Sequence, residues 1–189
     1  MRVIAGLAKG CRLKSPEGRG TRPTADRVKE SLFAILSPYV LDARVLDLFA
    51  GTGNLGIEAL SRGAGAAVFV EKNRAAVKTI RENLATTGLA AEAAVMAGDC
   101  RQVLSRWPGS LPGNLASARF DLVLIDPPYG QELADLTLGI LGTWAFLAPE
   151  AVVVAEHGNH DRIAGCYGDL EQWRQERYGE TILSFFRRR

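Results

Sequence analysis

From residue 44 onward, near-continuous apolar runs alternate with stretches whose apolar positions recur every three or four residues. The clearest runs are Arg44–Phe49, Ala67–Glu71, Phe120–Ile125 and Ala151–Glu156, with a weaker one over 93–97. Runs of this kind suit strands of a parallel sheet covered by helices on both faces. Between them, Asn73 is placed to cap a helix on which Val77, Ile80 and Leu84 share one face, with Gly88 as its stop. Leu133, Leu136, Ile140 and Trp144 mark another helix, ended before Pro149. The stretch Trp107–Ala118, with its Pro, Gly and Ser, reads as a loop. The tail predicts a hairpin of Trp173–Tyr178, a turn at Gly179 and Thr181–Phe186. Strand and helix alternating under right-handed crossovers give a doubly wound α/β sheet, mostly parallel and seven-stranded, with an antiparallel C-terminal hairpin.

The first thirty residues follow a different pattern. Two short β-prone runs, Arg2–Ala5 and Cys11–Lys14, are separated by turn glycines Gly6 and Gly10 and suggest a small N-terminal β-hairpin. A loop rich in Gly, Arg and Pro runs from Pro16 to Pro23. Thr24 is a plausible N-cap and Asp26 suits the positive end of a helix. In that helix Val28, Leu32, Ile35 and Leu36 form one stripe, with Arg27, Lys29 and Glu30 facing out. The expected division is a basic extension over 1–23 and a larger domain over 24–189.

Composition narrows the classes. The 189 residues suit one core, and the 47% hydrophobic and 23% charged content excludes collagen-like and wholly disordered chains. No apolar stretch approaches the ~18–20 residues needed to cross a bilayer, so no membrane partner is expected. Cys11, Cys100 and Cys166 are far apart and form no CxxC pair, as expected of reduced thiols in a cytoplasmic protein. His157 and His160 lack a third ligand nearby and predict no metal site.

The net charge of +2 conceals an asymmetry. Residues 1–30 carry eight basic and three acidic side chains, and residues 174–189 carry five and two. The 143 residues between hold ten basic and sixteen acidic. Basic ends on a mildly acidic body suit a polyanionic partner, or merely solubilise the termini. The closing Arg187–Arg189 has the same two readings.

Candidate chemistry begins at Asp47-Leu-Phe-Ala-Gly51-Thr-Gly53-Asn-Leu-Gly56, a G-x-G-x-x-G that ends the first run and opens a helix. Such glycines let the backbone turn sharply and approach a ligand closely. Twenty residues beyond Gly51, Glu71 is placed to accept hydrogen bonds from ribose hydroxyls, which points to an adenosine-type ligand. A carboxylate just before the turn is badly placed for a pyrophosphate. Asp47 suits instead a ligand with a cationic amino group, such as the methionine part of S-adenosylmethionine, or it braces the turn through backbone N–H groups. Asp99-Cys100, after the third core run, lies where an adenine ring would be read.

Asp126-Pro127-Pro128-Tyr129 follows the fourth run directly. Two prolines fix two φ angles and remove two backbone donors, leaving a stiff segment with free carbonyls. One carbonyl and the Asp126 carboxylate can accept both hydrogens of an exocyclic amino group, turning its lone pair towards a methyl donor. Tyr129 offers a face for stacking, worth about 1–3 kcal/mol per base.

These motifs resemble those of the S-adenosylmethionine-dependent methyltransferases that act on amino nitrogens. The segments Arg2–Gly6, Lys9-Gly10, Arg12–Lys14, Arg22–Phe33 and Leu55–Ala64 closely resemble the bacterial 16S ribosomal RNA guanine-N2 methyltransferases, the RsmD family. The resemblance covers about two-thirds of the chain, Arg2 to Tyr129; beyond it only the strand pattern agrees. It implies a Rossmann-like methyltransferase fold and methyl transfer to the 2-amino group of guanine 966 in small-subunit rRNA. It also implies that Thr24, Asp47, Gly51, Gly53, Glu71, Lys72, Asp99 and Cys100 hold the cofactor. Asp126, Pro127, Pro128 and Tyr129 become the target-base clamp. Arg2, Lys9, Arg12, Lys14, Arg22 and Arg27 become an RNA guide, for a monomer acting on 16S rRNA in the small subunit or an assembly intermediate.

Three alternatives stand beside this one. An adenine-N6 methyltransferase would use the same clamp, although no insertion for reading duplex DNA is present. An NAD-linked oxidoreductase would leave the Asp-Pro-Pro-Tyr unexplained. A non-catalytic RNA-binding module would have no need of either site.

Overall fold

The computed structural model describes residues 1–15, 23–107 and 119–189. Eight strands form one sheet: β1 (Arg44–Asp47), β2 (Ala66–Glu71), β3 (Ala93–Ala97), β4 (Phe120–Ile125), β5 (Leu147–Gly158), β6 (Cys166–Tyr167), β7 (Leu170–Tyr178) and β8 (Thr181–Arg188). Their order is β3-β2-β1-β4-β5-β8-β7-β6. Strands β1 to β5 are parallel, and β8 returns antiparallel to β5. The chain steps outward from β1 to β2 and β3, then crosses back to β4. The switch point, where α/β sheets bind ligands, therefore lies between the carboxyl ends of β1 and β4.

The seven expected strands are present, and the two-residue β6 adds an eighth at the far edge. β1 stops at Asp47 rather than Phe49, because the chain turns there to begin the glycine loop. β5 starts earlier than the apolar run: Leu147 pairs with Phe120 before a register shift across Pro149 and Glu150, where Glu150 takes φ 62°.

Helices α1 (Pro23–Leu36), α2 (Asn54–Ser61) and α3 (Arg74–Thr87) cover one face. Val28, Leu32, Leu36, Ile57, Ile80 and Leu84 pack there against Val45, Phe69, Leu124 and Val154. Helices α4 (Cys100–Ser105) and α5 (Leu133–Leu141) cover the other, over Leu46, Val68, Val123 and Val153. Asn73 caps α3 by accepting from the N–H groups of Ala75 and Ala76, and Gly88 ends it at φ 73°. Three details of the helices differ from expectation. α1 begins at Pro23, so Thr24 lies inside the first turn rather than at the cap; proline suits that first position because its missing N–H would have no partner. On α5 the buried positions are Ala134, Thr137, Leu138 and Leu141, leaving Leu136 exposed; the helix ends well before Pro149. Lys29, expected outside, is buried.

The N-terminal segment is hairpin-like, joined by a single bridge between Arg2 and Arg12 with Val3 and Gly10 bonded across it. Val3, Ala8 and Leu13 enter the same core as α1 to α3. Glu58, fully buried on α2, accepts from the N–H groups of Ile4 and Ala5 and pairs with Lys29 at 3.1 Å and Arg62 at 2.8 Å. This environment explains the inward Lys29: its ammonium also reaches the Arg2 carbonyl and Asn54, each at 2.8 Å. Burial lowers the lysine below its ordinary 10.5, against the pull of Glu58. The basic tail is tied down. Arg187 bonds Tyr39 and lies over Trp173, while Arg188 and Arg189 pair with Asp169 and Glu171. Trp144 and Phe146 join the aromatic cluster around Trp107. Trp173 is 40% exposed on the outer strand β7.

No helix among the described residues is long and apolar enough to cross a membrane.

Candidate active site

Four apolar strands carry an acid at or beside their carboxyl ends: β1 ends at Asp47 and β2 at Glu71, Asp126 follows β4, and Glu156 lies two residues before the end of β5. Register aligns them. Asp47 pairs with Phe69 and Leu124, two residues before Glu71 and Asp126; Ile125 pairs with Ala155, so Asp126, just past β4, lies beside Glu156, which is still paired with Leu183 of β8. Since side chains alternate with period two, all four acids belong to the face covered by α1 to α3.

The glycine turn is built for close approach. Gly53 sits at φ 80° as the residue before α2, and a Cβ on Gly56 would meet the Phe69 ring at 2.3 Å. Only glycine brings α2 so near β2. Gly51 takes φ 56°, and a Cβ there would meet nothing nearer than the Phe49 carbonyl at 4.0 Å, so its outer side is open to a ligand. Asp47 accepts from the Gly56 N–H at 3.0 Å. Its bracing role is thus realised. Burial, with the nearby charge of Glu71, still pushes its carboxyl up to about 7. A buried acid in that condition is stabilised by a cationic ligand group.

Glu71 accepts from the N–H groups of Gly51 at 2.8 Å and Asn73 at 2.7 Å. It therefore ties the glycine turn to the start of α3 and keeps lone pairs for a further donor. Lys72 beside it is exposed. Asp99 caps α4 through the Arg101 N–H and pairs with the Arg101 side chain, which holds its carboxyl below the ordinary 3.8. Cys100 is buried against Thr137, and burial pushes its thiol up, so it is no nucleophile. Thr24 lies in the first turn of α1, and Arg22 lies outside the described residues.

At the clamp, Pro127 is buried while Asp126, Pro128 and Tyr129 are exposed. Asp126 has no hydrogen-bond partner among the described residues. Crowding by protein atoms, then the charges of Glu156 and Asp47, push its carboxyl well up; solvent at its exposed edge tempers the first of these. Two features here escaped sequence reasoning. The Tyr129 hydroxyl donates to Glu156 at 2.6 Å and lies 3.1 Å from Thr181 Oγ1, so it is bound rather than idle. Asp161 accepts from Gly130 N–H at 3.0 Å and Gly158 N–H at 2.8 Å, pinning the turn after the clamp to the end of β5. Glu156 carried a signal, as the fourth acid at or beside a strand's carboxyl end; Asp161 carried none.

Among the expected guide residues, Arg2, Lys9, Arg12 and Arg27 are exposed, and Lys14 pairs with Glu82 at 2.8 Å. His157 bonds Ser184 and the Gly158 carbonyl in the interior, and no cluster of three metal-ligating side chains occurs among the described residues.

An acid-rimmed switch point, an open glycine turn and an Asp-Pro-Pro-Tyr clamp on this sheet define an S-adenosylmethionine-dependent methyltransferase. S-adenosylmethionine bound there would supply an electrophilic methyl group, and Asp47, Gly51, Gly53 and Glu71 are the residues that would hold it. Comparison with known proteins gives the family. A family profile described as "Conserved hypothetical protein 95" matches residues 1–187. Ribosomal RNA small subunit methyltransferase D of Escherichia coli K12 is 38% identical over 188 residues, spanning 100% of this chain and 90% of its own. The Haemophilus influenzae protein of that name is 36% identical over 82% of this chain and 78% of its own. The solved structure of yhhF from Escherichia coli superposes with a TM-score of 0.85 at 31% identity, covering 100% and 97% of the two chains. An RNA methyltransferase from Salinibacter ruber, in complex with S-adenosyl-L-homocysteine, shares the fold at a TM-score of 0.64 and 16% identity, over 89% and 93%. The chain belongs to the small-subunit rRNA methyltransferase D family.

Proposed function

We propose that this protein transfers the methyl group of S-adenosylmethionine to the 2-amino group of a guanine in small-subunit ribosomal RNA, at the position equivalent to guanine 966. The observation that carries this reading is the unpartnered Asp126 carboxylate beside Glu156, held by a stiff Pro-Pro segment at the mouth of the cofactor turn. An aromatic amine is a poor nucleophile, so placing it in line with the methyl group matters most. Asp126 and the Pro127 carbonyl accept its two hydrogens. The nitrogen lone pair forms the new N–C bond, the S–C pair stays on sulfur, and the amine proton leaves through Asp126 or water. A loop guanine can be splayed into this site at less unstacking cost than a paired one. The exposed Arg2, Lys9, Arg12 and Arg27, with Arg22 and Lys14, form the RNA guide.

The test is transfer of labelled methyl to unmodified small subunits, with naked rRNA, tRNA and duplex DNA as parallel acceptors. Nuclease digestion then identifies the modified nucleoside. N2-methylguanosine from rRNA is the expected product. Label in adenine would keep the clamp and overturn the base assignment, and no transfer despite cofactor binding would restore the non-catalytic reading.

A further inference from the structure

We propose that Glu156 is the residue that selects guanine, its free carboxylate oxygen accepting the N1–H of the target base while Asp126 and Pro127 accept the 2-amino group. This rests on the guanine-N2 reading above. The argument starts from the edge of the base. Next to its reactive amine guanine carries N1–H, a donor, whereas adenine carries N1, an acceptor. A clamp that holds only an amino group cannot tell the two apart; a fixed acceptor beside it can.

Glu156 is placed to be that acceptor. The register sets it on the strand next to Asp126, one step beyond the Ile125–Ala155 pair. Its Oε1 is occupied by the Tyr129 hydroxyl at 2.6 Å, and its Oε2 has no hydrogen bond among the described residues. Tyr129 is itself braced by Thr181 and lies against Gly158, where an added Cβ would come within 3.3 Å of its ring. The carboxylate is therefore oriented by the clamp's own tyrosine. Burial pushes the Glu156 carboxyl up from its ordinary 4.5, and three N–H groups arriving from a guanine edge favour the ionised form of both acids. An adenine N1 would instead set a lone pair against a carboxylate, the arrangement a selective site uses to reject the wrong ligand.

The experiment replaces the target guanine with 2-aminopurine, which keeps the 2-amino group but has an acceptor at N1. Small subunits are reconstituted on rRNA ligated to carry either base at the position found by digestion, and kcat/KM is measured for each. The native protein is expected to prefer guanine by about 10–100-fold, the worth of one hydrogen bond to a charged group. In Glu156→Gln the Tyr129 hydroxyl keeps the amide oxygen, so the amide N–H faces the base and the preference narrows or reverses. Cofactor affinity, measured in parallel, stays within a few-fold. Equal rates for the two bases in the native protein would overturn the proposal without any variant, as would a Glu156→Gln that slows both equally. Either result leaves guanine methylation standing. Failure of the native protein to methylate guanine in natural subunits would instead remove the reading beneath it.

Discussion

The side-chain amide of Asn83 on α3 donates to the carbonyl of Thr52 in the glycine turn at 2.9 Å. The same amide accepts from the Lys14 N–H at 2.8 Å and donates to the Lys14 carbonyl at 3.1 Å. One buried side chain thus joins the basic extension, α3 and the glycine turn. Asn83→Ala strands buried backbone groups, and we expect a loss of about 2–3 kcal/mol. Urea unfolding measures it, together with weaker cofactor binding. An unchanged unfolding midpoint would mean that water replaces the amide at no cost.

The buried pair on the other side of the extension is asymmetric. Removing Glu58 leaves Lys29 as a buried cation and frees the N–H groups of Ile4 and Ala5, so Glu58→Ala should cost about 3–5 kcal/mol. Removing Lys29 leaves Glu58 still bonded to Arg62 and both N–H groups, so Lys29→Met should cost less than half as much. The lowered lysine agrees in sign: the unfolded chain holds that proton at pH values where the folded one has released it, so stability rises as pH climbs towards 10.5. That slope should vanish in Lys29→Met. Equal losses in the two variants would remove the asymmetry.

The Tyr129 hydroxyl changes what a phenylalanine should do. Were stacking its whole task, Tyr129→Phe would be silent. With the hydroxyl bound to Glu156 and Thr181, the variant loses the group that orients the carboxylate. A fall of about 3–30-fold in kcat/KM is expected, in line with one or two hydrogen bonds, while Tyr129→Ala falls further by losing the stacking face. Steady-state kinetics on small subunits decide between them.

These cases mark where the sequence was legible. The core strands were visible as near-continuous apolar runs, and four of them carry the acids of the candidate site, Asp47, Glu71, Asp126 and Glu156, at or beside their carboxyl ends. The helix caps at Asn73 and Gly88 were visible because capping is local chemistry. Lys29 was not: on a helical wheel it sits beside Val28, and only the arrival of Glu58 from another helix turns it inward. The Tyr129–Glu156 hydrogen bond and the two hydrogen bonds that Asp161 accepts from Gly130 and Gly158 join segments brought together by the β4–β5 register. No periodicity reports such contacts.

The guide function predicts a salt dependence. Arg2, Lys9, Arg12 and Arg27 are exposed without an acidic partner among the described residues, while Lys14 is engaged by Glu82. Four phosphate contacts at ~0.7 each give a slope of log affinity against log salt near −3. Arg12→Ala should reduce the slope by about 0.7 without altering cofactor affinity. A salt-independent affinity would remove the guide role from the extension.

Asp47 ties stability to function with opposite signs. Its carboxyl is raised from 3.8 to about 7, so between those values the folded protein holds a proton that the unfolded chain has lost. Stability is greatest below that window, falls as pH rises through it and is level above 7. Asp126 and Glu156, also raised, add slope of the same sign. Asp47→Asn keeps an acceptor for the Gly56 N–H but has nothing to ionise. At pH 8 the ligand-free variant should therefore be about 2–4 kcal/mol more stable than the native protein, the gap closing as the pH drops towards 4. Cofactor binding should run the other way. A cationic ligand favours the ionised carboxylate, so native affinity should strengthen as pH rises through 7, while the variant binds at least tenfold more weakly with little dependence on pH. Unfolding and cofactor titration at pH 5 and pH 8 test both halves. A variant less stable at pH 8 would show that the buried charge is satisfied by the protein itself, leaving the cofactor no carboxylate to relieve.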